Sequence, residues 1–324
     1  MTPEILSVEN LNRVFPLRRS WPGGKRHAVH AVTDVSLGVK KGQTVGIVGE
    51  SGCGKSTLAK MIVMLDQPTA GSIRFQGRDL RDFRRKEKKQ FRRNVQFVFQ
   101  DPLSSLNPRK TIRQILEAPL KHLTDKSPQE RLRRVEELMS LVSLRPEFLD
   151  RHPHEFSGGQ SQRIGVARSI AASPDLVVLD EPVSALDVSV QAQVLNLLRE
   201  LKASQNLTYI FISHDLAVVE NICNVVAVMY LGRIVELGPR DKLFATPRHP
   251  YTHILLSSIP IPGKKPRERT KPAGEPPSPT ALPPGCPFEP RCPKAHARCR
   301  EKNPELEVCE TDHLVACYSP MEII

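Results

Sequence analysis

Residues 43–57 read Gln43-Thr44-Val45-Gly46-Ile47-Val48-Gly49-Glu50-Ser51-Gly52-Cys53-Gly54-Lys55-Ser56-Thr57, and Leu58 to Leu65 continue with helical spacing. A short β-branched run, a glycine-rich loop and a helix therefore follow one another. Gly49 to Thr57 fit the pattern G-x-x-x-x-G-K-[ST] in the strand-then-helix context that gives the pattern its meaning. Glycines let successive backbone N–H groups curl around phosphates, and the helix N-terminus adds positive potential. Gly49, Ser51, Gly52, Cys53, Gly54, Lys55, Ser56 and Thr57 are the candidate phosphate-binding residues. Lys55 is placed to reach β- and γ-phosphates, and Ser56 to ligate Mg²⁺. The Cys53 thiol is expected to point away from the phosphates as inert filler.

Outward from this loop, strands and helices alternate. Asn94 to Phe99 read as a strand, residues 111–149 carry helical spacing, and Leu176 to Leu179 and Tyr209 to Ile212 read as buried parallel strands around a helix from Val190 to Ala203. Residues 225–237 predict a hairpin turning at Gly232. Short apolar strands separated by helices imply an α/β fold with a mostly parallel sheet covered on both faces. The strand Leu176–Leu179 ends in Asp180-Glu181, where α/β sheets bind ligands. Asp180 is the candidate for the Mg²⁺ shell, and Glu181 for the general base that polarises an attacking water. Phe156-Ser157-Gly158-Gly159-Gln160 precede an apparent helix and form a second anion-binding terminus, which a kinase or small GTPase with one site would not need.

With these three motifs the sequence resembles the ATP-binding cassette (ABC) ATPases, whose signature reads Leu-Ser-Gly-Gly-Gln; Phe156 stands here for the usual leucine. The resemblance implies a P-loop cassette with a parallel-sheet core, an antiparallel β part and a helical subdomain at about residues 103–173. It implies ATP and Mg²⁺ as cofactors. It also implies head-to-tail pairing of two cassettes, each ATP lying between one phosphate loop and the partner's Ser157-Gly158-Gly159-Gln160 signature. Gln100, in Phe-Gln-Asp, matches the glutamine that ligates Mg²⁺ and senses the transmembrane partner. Asp187, in Ser184-Ala185-Leu186-Asp187, matches the loop that crosses the dimer interface. His214 matches the switch histidine at the γ-phosphate. Phe15 matches the aromatic that stacks on adenine, with Trp21 as a rival.

Asn107-Pro108-Arg109-Lys110, Glu181-Pro182-Val183-Ser184-Ala185-Leu186-Asp187-Val188-Ser189 and Arg248-His249-Pro250-Tyr251-Thr252 resemble the ATPase subunits of bacterial dipeptide and oligopeptide permeases. The combination is most similar to the F-type subunit of dipeptide systems. That resemblance implies a peripheral protein on the cytoplasmic face of the bacterial cytoplasmic membrane. Its implied partners are a paralogous ABC ATPase in a heterodimer, two transmembrane permease subunits and an extracytoplasmic peptide-binding protein. Nickel, opine and glutathione importers have similar subunits and are the alternative cargo classes. ABC ATPases that act on nucleic acid separate the cassette halves with coiled coils or zinc modules. Here Lys55 and Asp180 lie 125 residues apart with no heptad run between them. Translation-associated members carry two cassettes in one chain, and this chain has one.

Twelve of the 29 prolines lie between Pro260 and Pro293 and mark residues 260–285 as an extended linker. It separates a cassette, residues 1–259, from a Cys-rich segment, residues 286–324, too small for its own apolar core. Five of seven cysteines fall in that segment: Cys286, Cys292, Cys299, Cys309 and Cys317. Disulfides do not suit a cytosolic ATPase. No close C-x2–4-C pair favours zinc. Thiolates also hold iron–sulfur clusters, and the third reading is a tail of free thiols. The permease resemblance implies a 4Fe-4S cluster on Cys286, Cys292, Cys299 and Cys317, with Cys309 the substitute for Cys317.

The 324 residues carry 47 Lys plus Arg against 35 Asp plus Glu, a net charge of +12. Residues 13–26 contribute +5 and residues 78–93 contribute +6. The excess is thus two local patches and no nucleic-acid footprint; the first reads as a loop near adenine, the second as a solvated helical or loop face. Arg163 and Arg168 are expected in salt bridges. No apolar run reaches the ~18 residues of a membrane span, and Met1-Thr2-Pro3-Glu4 carries no signal-peptide pattern.

Overall fold

The β-branched run before the phosphate loop forms the strand Thr44–Val48, all five residues buried. The computed structural model describes residues 3–17, 28–258 and 274–322. These fall into two compact units. One is built mainly from Arg78–Ile212 with Val39–Thr44, the other from the described parts of Leu6–Gly38, Val45–Gly77 and Ser213–Ile324. Trp21, the basic residues Arg18, Arg19, Lys25 and Arg26, and linker residues 260–273 lie outside the described residues.

In the first unit three parallel strands run side by side. Leu176–Asp180 pairs with Val95–Val98 on one edge (Val95 opposite Leu176) and with Thr208–Ser213 on the other (Asp180 opposite Ile212). Every residue of the central strand is buried, which is why it reads as a continuous apolar run. Helices Ile112–Leu123, Pro128–Leu141 and Gly158–Ile170 fill the region expected to be a helical subdomain. Each begins at a hydroxyl that reciprocally caps the first turn: Thr111 with Gln114, Ser127 with Glu130, Ser157 with Gln160. Their inward stripes bury Leu116, Leu120, Val135, Leu138 and Ile164 completely. The basic stretch forms the helix Arg85–Asn94, which buries only Phe91; its charges are a solvated face, as its composition suggested.

In the second unit Thr44–Val48 runs parallel to Val225–Tyr230, Val45 opposite Val225. The chain turns through Leu231 and Gly232, at φ 42° and 82°, and returns as Arg233–Pro239. Two positive φ values match the turn whose twist suits a hairpin. The Cys-rich segment then extends this sheet. His313–Val315 pairs antiparallel with Arg233–Pro239, Glu236 opposite Val315, and Glu307–Glu310 adds the next strand. The segment therefore borrows the second unit's core, burying Phe288 and Val315 (1% and 4% exposed). Glu4–Pro16 pairs antiparallel with Ala70–Phe75 in a separate sheet. Arg13 lies on that strand, so the first basic patch begins in regular structure and not in a loop. Among the described residues no helix is long and apolar enough to cross a membrane.

Candidate functional site

The phosphate loop leads into the helix Lys55–Ile62, whose N-cap is Gly54 at φ 105°. A Cβ there would lie 2.0 Å from the Ala31 carbonyl oxygen, so only glycine fits. Lys55 is 5% exposed and its Nζ donates to the carbonyls of Gly49 and Glu50 at 2.8 and 2.9 Å. Cys53 is buried at 4% exposure, and burial raises its thiol pKa.

The acidic motif is assembled in the first unit. Asp180 ends its strand at 4% exposure. Glu181 takes a left-handed φ of 46°, and its N–H donates to the Ile212 carbonyl at 3.0 Å. The parallel pairing of Val95–Val98 with Leu176–Asp180 brings their ends together, and Gln100 Nε2 donates to Glu181 Oε2 at 3.0 Å. Two candidates 81 residues apart in sequence thus share one hydrogen bond.

Ser157 caps the helix Gly158–Ile170. Its Oγ accepts from the Gln160 N–H and its own N–H donates to Gln160 Oε1 at 3.0 Å. Gly159 packs closely on the next helix: a Cβ would meet Val190 Cγ1 at 2.4 Å, so the valine side chain would have to shift. Phe156 packs edge-on against Phe148, centroids 5.9 Å apart, so the residue replacing the usual leucine fills an apolar contact. Asp187 caps Val188–Gln205, accepting from the Val190 N–H and Ser189 Oγ at 2.9 and 2.7 Å; the Ser189 bond leads the causes that lower its pKa. His214 is exposed just after the strand Thr208–Ser213. Phe15 is half-buried, with the Arg13 guanidinium 4.3 Å from its centroid. That cation also pairs with Asp66 at 2.7 Å, so one ring face at most is left for a base. Among the described residues, the salt bridges expected of Arg163 and Arg168 do not form. Arg163 donates to the Val142 carbonyl and Gln193, Arg168 to the Ser105 carbonyl and hydroxyl. Neutral oxygens at the helix flank satisfy both cations.

Four tail thiols, Cys286, Cys292, Cys299 and Cys317, line one pocket together with His249 and Phe288. Cys309 is elsewhere, its Sγ donating to the His313 carbonyl at 3.2 Å. No disulfide joins any of the seven cysteines. Burial pushes the Cys286 thiol up to about 11 and the Cys317 thiol up to about 12. His249 accepts from the Tyr251 N–H at Nδ1, and burial holds its ring down at about 4, so the ring is neutral with its proton on Nε2. Among the described residues no group of three or more His, Cys, Asp or Glu is arranged to hold a single metal ion. Soft thiol donors around one pocket are of the type that holds a thiophilic group.

The sequence reading missed two elements near these groups. One is Arg291, which reaches back to the phosphate loop. The other is Glu236, buried beneath the tail. Neither sits in a recognisable motif, and only the fold shows their partners.

The phosphate loop, the acid pair at a strand end and the capped Ser-Gly-Gly-Gln helix define an ABC-type ATPase. The family profile for ABC transporters matches residues 32–184, and that for the oligopeptide/dipeptide transporter C-terminal region matches residues 235–299. The chain is 49% identical to the oligopeptide transport ATP-binding protein AppF of Bacillus subtilis, over 97% of both chains. It is 46% identical to the dipeptide transport ATP-binding protein DppF of Escherichia coli, over 97% of this chain and 94% of that one. Among solved structures, the cassette MJ0796 bound to ADP and Pi, a dimer, superposes with a TM-score of 0.63 at 28% identity, covering 72% of this chain and 98% of that one. The chain belongs to the ABC transporter ATPases, in the branch that carries the oligopeptide/dipeptide transporter C-terminal region.

Proposed function

We propose that this ATPase powers uptake of dipeptides or oligopeptides across the bacterial cytoplasmic membrane, bound peripherally to its cytoplasmic face. The observation that carries the reading is kinship along almost the whole chain with ATP-binding proteins of oligopeptide and dipeptide transport. The partners are a paralogous ATPase subunit, two transmembrane permease subunits and an extracytoplasmic peptide-binding protein. Functionally, residues 1–259 are the cassette, 260–285 the linker and 286–324 the Cys-rich segment. Lys55 and the loop N–H groups bind ATP phosphates, Ser56, Gln100 and Asp180 hold Mg²⁺, and Glu181 orients water. His214 contacts the γ-phosphate and Phe15 stacks on adenine. Ser157, Gly158, Gly159 and Gln160 serve the partner's nucleotide, and Asp187 lies at the cassette interface. The test is ATPase activity of the complex reconstituted with the products of the neighbouring genes. Dipeptide-loaded binding protein should stimulate hydrolysis several-fold. Stimulation by nickel or glutathione instead, or by DNA without any permease, would reassign the cargo or the class.

The Cys pocket supports a second proposal, a 4Fe-4S cluster held by Cys286, Cys292, Cys299 and Cys317. When bound, such a cluster would cross-link a segment too small to fold alone. Anaerobic purification should yield about four iron and four sulfide per chain. Cys309→Ser should keep that stoichiometry, and Cys317→Ser should lose it. A colourless, iron-free, folded chain would eliminate the cluster.

A further inference from the structure

Glu50, the second residue of the phosphate loop, is held at three points. Its N–H donates to the Tyr251 hydroxyl at 3.0 Å. Its carbonyl accepts from Lys55 Nζ at 2.9 Å. Its carboxylate receives both terminal nitrogens of Arg291, at 3.1 and 3.2 Å. The last partner comes from 241 residues away and belongs to the Cys-rich segment, one position before Cys292.

Arg291 is itself tightly placed. It is 6% exposed and also donates to the Tyr230 hydroxyl at 3.2 Å. Its guanidinium lies about equally far from the Tyr230 and Phe288 rings, at 5.8 and 6.0 Å from their centroids. Phe288 packs against Tyr230 and Tyr251 with centroids 5.3 and 5.4 Å away. The short turn Cys286–Cys292 thus docks an aromatic plug and a cation onto the platform that also grips the loop backbone. A fork that meets a carboxylate with two parallel bonds fixes orientation as well as charge. Because the cation is buried, removing one partner costs more than breaking a surface pair.

We propose that Arg291 is a positioning residue for ATP binding: by fixing Glu50 it holds the phosphate loop in its nucleotide-receiving shape, and so makes ATP affinity depend on the seating of the Cys-rich segment. The proposal rests on the reading of Gly49–Thr57 as the ATP phosphate site, and it does not depend on what the four thiols hold. Glu50 and Arg291 act through the loop and touch no reacting atom.

The experiment uses the full chain and equilibrium binding of a fluorescent N-methylanthraniloyl ATP, with steady-state hydrolysis beside it. Arg291→Gln and Glu50→Gln should each weaken binding and raise the ATP KM by about tenfold, with kcat changed less than about threefold. The double variant should be no weaker than the worse single one, because both remove the same contact. Arg291→Lys should fall between, since an ammonium keeps the charge and loses the fork. If Arg291→Gln does not fold, Glu50→Gln alone decides, its side chain being partly solvent-exposed. Binding within about twofold of the parent in a folded single variant, or additive losses in the double, overturns the proposal. Lys55→Ala is the control. If it hydrolyses ATP normally, the phosphate-loop reading has failed. If it is inactive while Arg291→Gln binds normally, only the Arg291 proposal has failed.

Discussion

Glu181→Gln should bind ATP and fail to turn it over, with kcat reduced by about 10²- to 10⁴-fold, the contribution of a positioned general base. The structure makes the substitution a test of chemistry and not of folding. Glu181 is set by its backbone: a left-handed φ of 46°, an N–H given to the Ile212 carbonyl at 3.0 Å, and a carbonyl that accepts from the Ser184 hydroxyl at 3.1 Å. Glutamine has the same shape and the same backbone preferences, so these contacts survive. The contact with Gln100, whose Nε2 donates to Glu181 Oε2, changes character. An amide can still face Gln100 if one of the two turns over, but it carries no anion to take a proton from water. Binding of ATP, governed by Lys55 and the loop N–H groups, should stay within about threefold of the parent. Single-turnover hydrolysis of labelled ATP, with the bound nucleotide identified afterwards, reads both quantities. Steady-state hydrolysis near the parent rate would remove Glu181 from the catalytic role.

What was legible in the sequence were features written in contiguous residues. The phosphate loop, the apolar run Leu176 to Leu179 with its two acids, and the hairpin at Gly232 all sit where their local patterns put them. So does the helix that follows Ser157-Gly158-Gly159-Gln160, whose capping box is complete within four residues. The choice of Cys317 over Cys309 came from the family resemblance, and the pocket gathers the same four thiols. What could not be read were relations between distant residues. Arg163 and Arg168 found neutral carbonyl and hydroxyl partners where salt bridges were expected, because acceptors supplied by a neighbouring helix end leave no trace in the local sequence. The tail's 39 residues are too few to make a core of their own and need a staple. The antiparallel pairing of His313–Val315 with Arg233–Pro239 resolves this differently, by lending the tail a core. Arg291 and Glu236 were invisible for the same reason: each is an ordinary charged residue until the fold supplies its partner.

Glu236→Ala should be the most destabilising single change in the second unit, lowering the unfolding free energy by about 3–5 kcal/mol. Glu236 is fully buried on the strand Arg233–Pro239, between the hairpin and the tail strand. Its carboxylate accepts three hydrogen bonds: from the Arg248 N–H at 2.7 Å, the His249 N–H at 2.9 Å and His313 Nε2 at 2.8 Å. Two of those donors are the backbone groups leading into the helix Pro250–Ser257, whose first residue is a proline with no N–H to give. The third is a histidine that is itself 0% exposed and packs so closely on Gly238 that a Cβ there would lie 2.8 Å from its ring. Alanine leaves all three donors unpaired, two of them buried and the Arg248 N–H part-buried, each buried one costing about 1–3 kcal/mol. The His313 ring has no reserve, because its Nδ1 already lacks a partner among the described residues. Glutamine retains one acceptor oxygen and should lose about half as much. Urea unfolding of the full chain measures the loss, and limited proteolysis should show cleavage after Glu236→Ala concentrated in the tail beyond Glu307, where His313 was the anchor. A midpoint unchanged to within about 1 kcal/mol, or cleavage spread evenly through the unit, would mean that the strand pairing alone holds the tail and that the buried carboxylate contributes nothing to its seating.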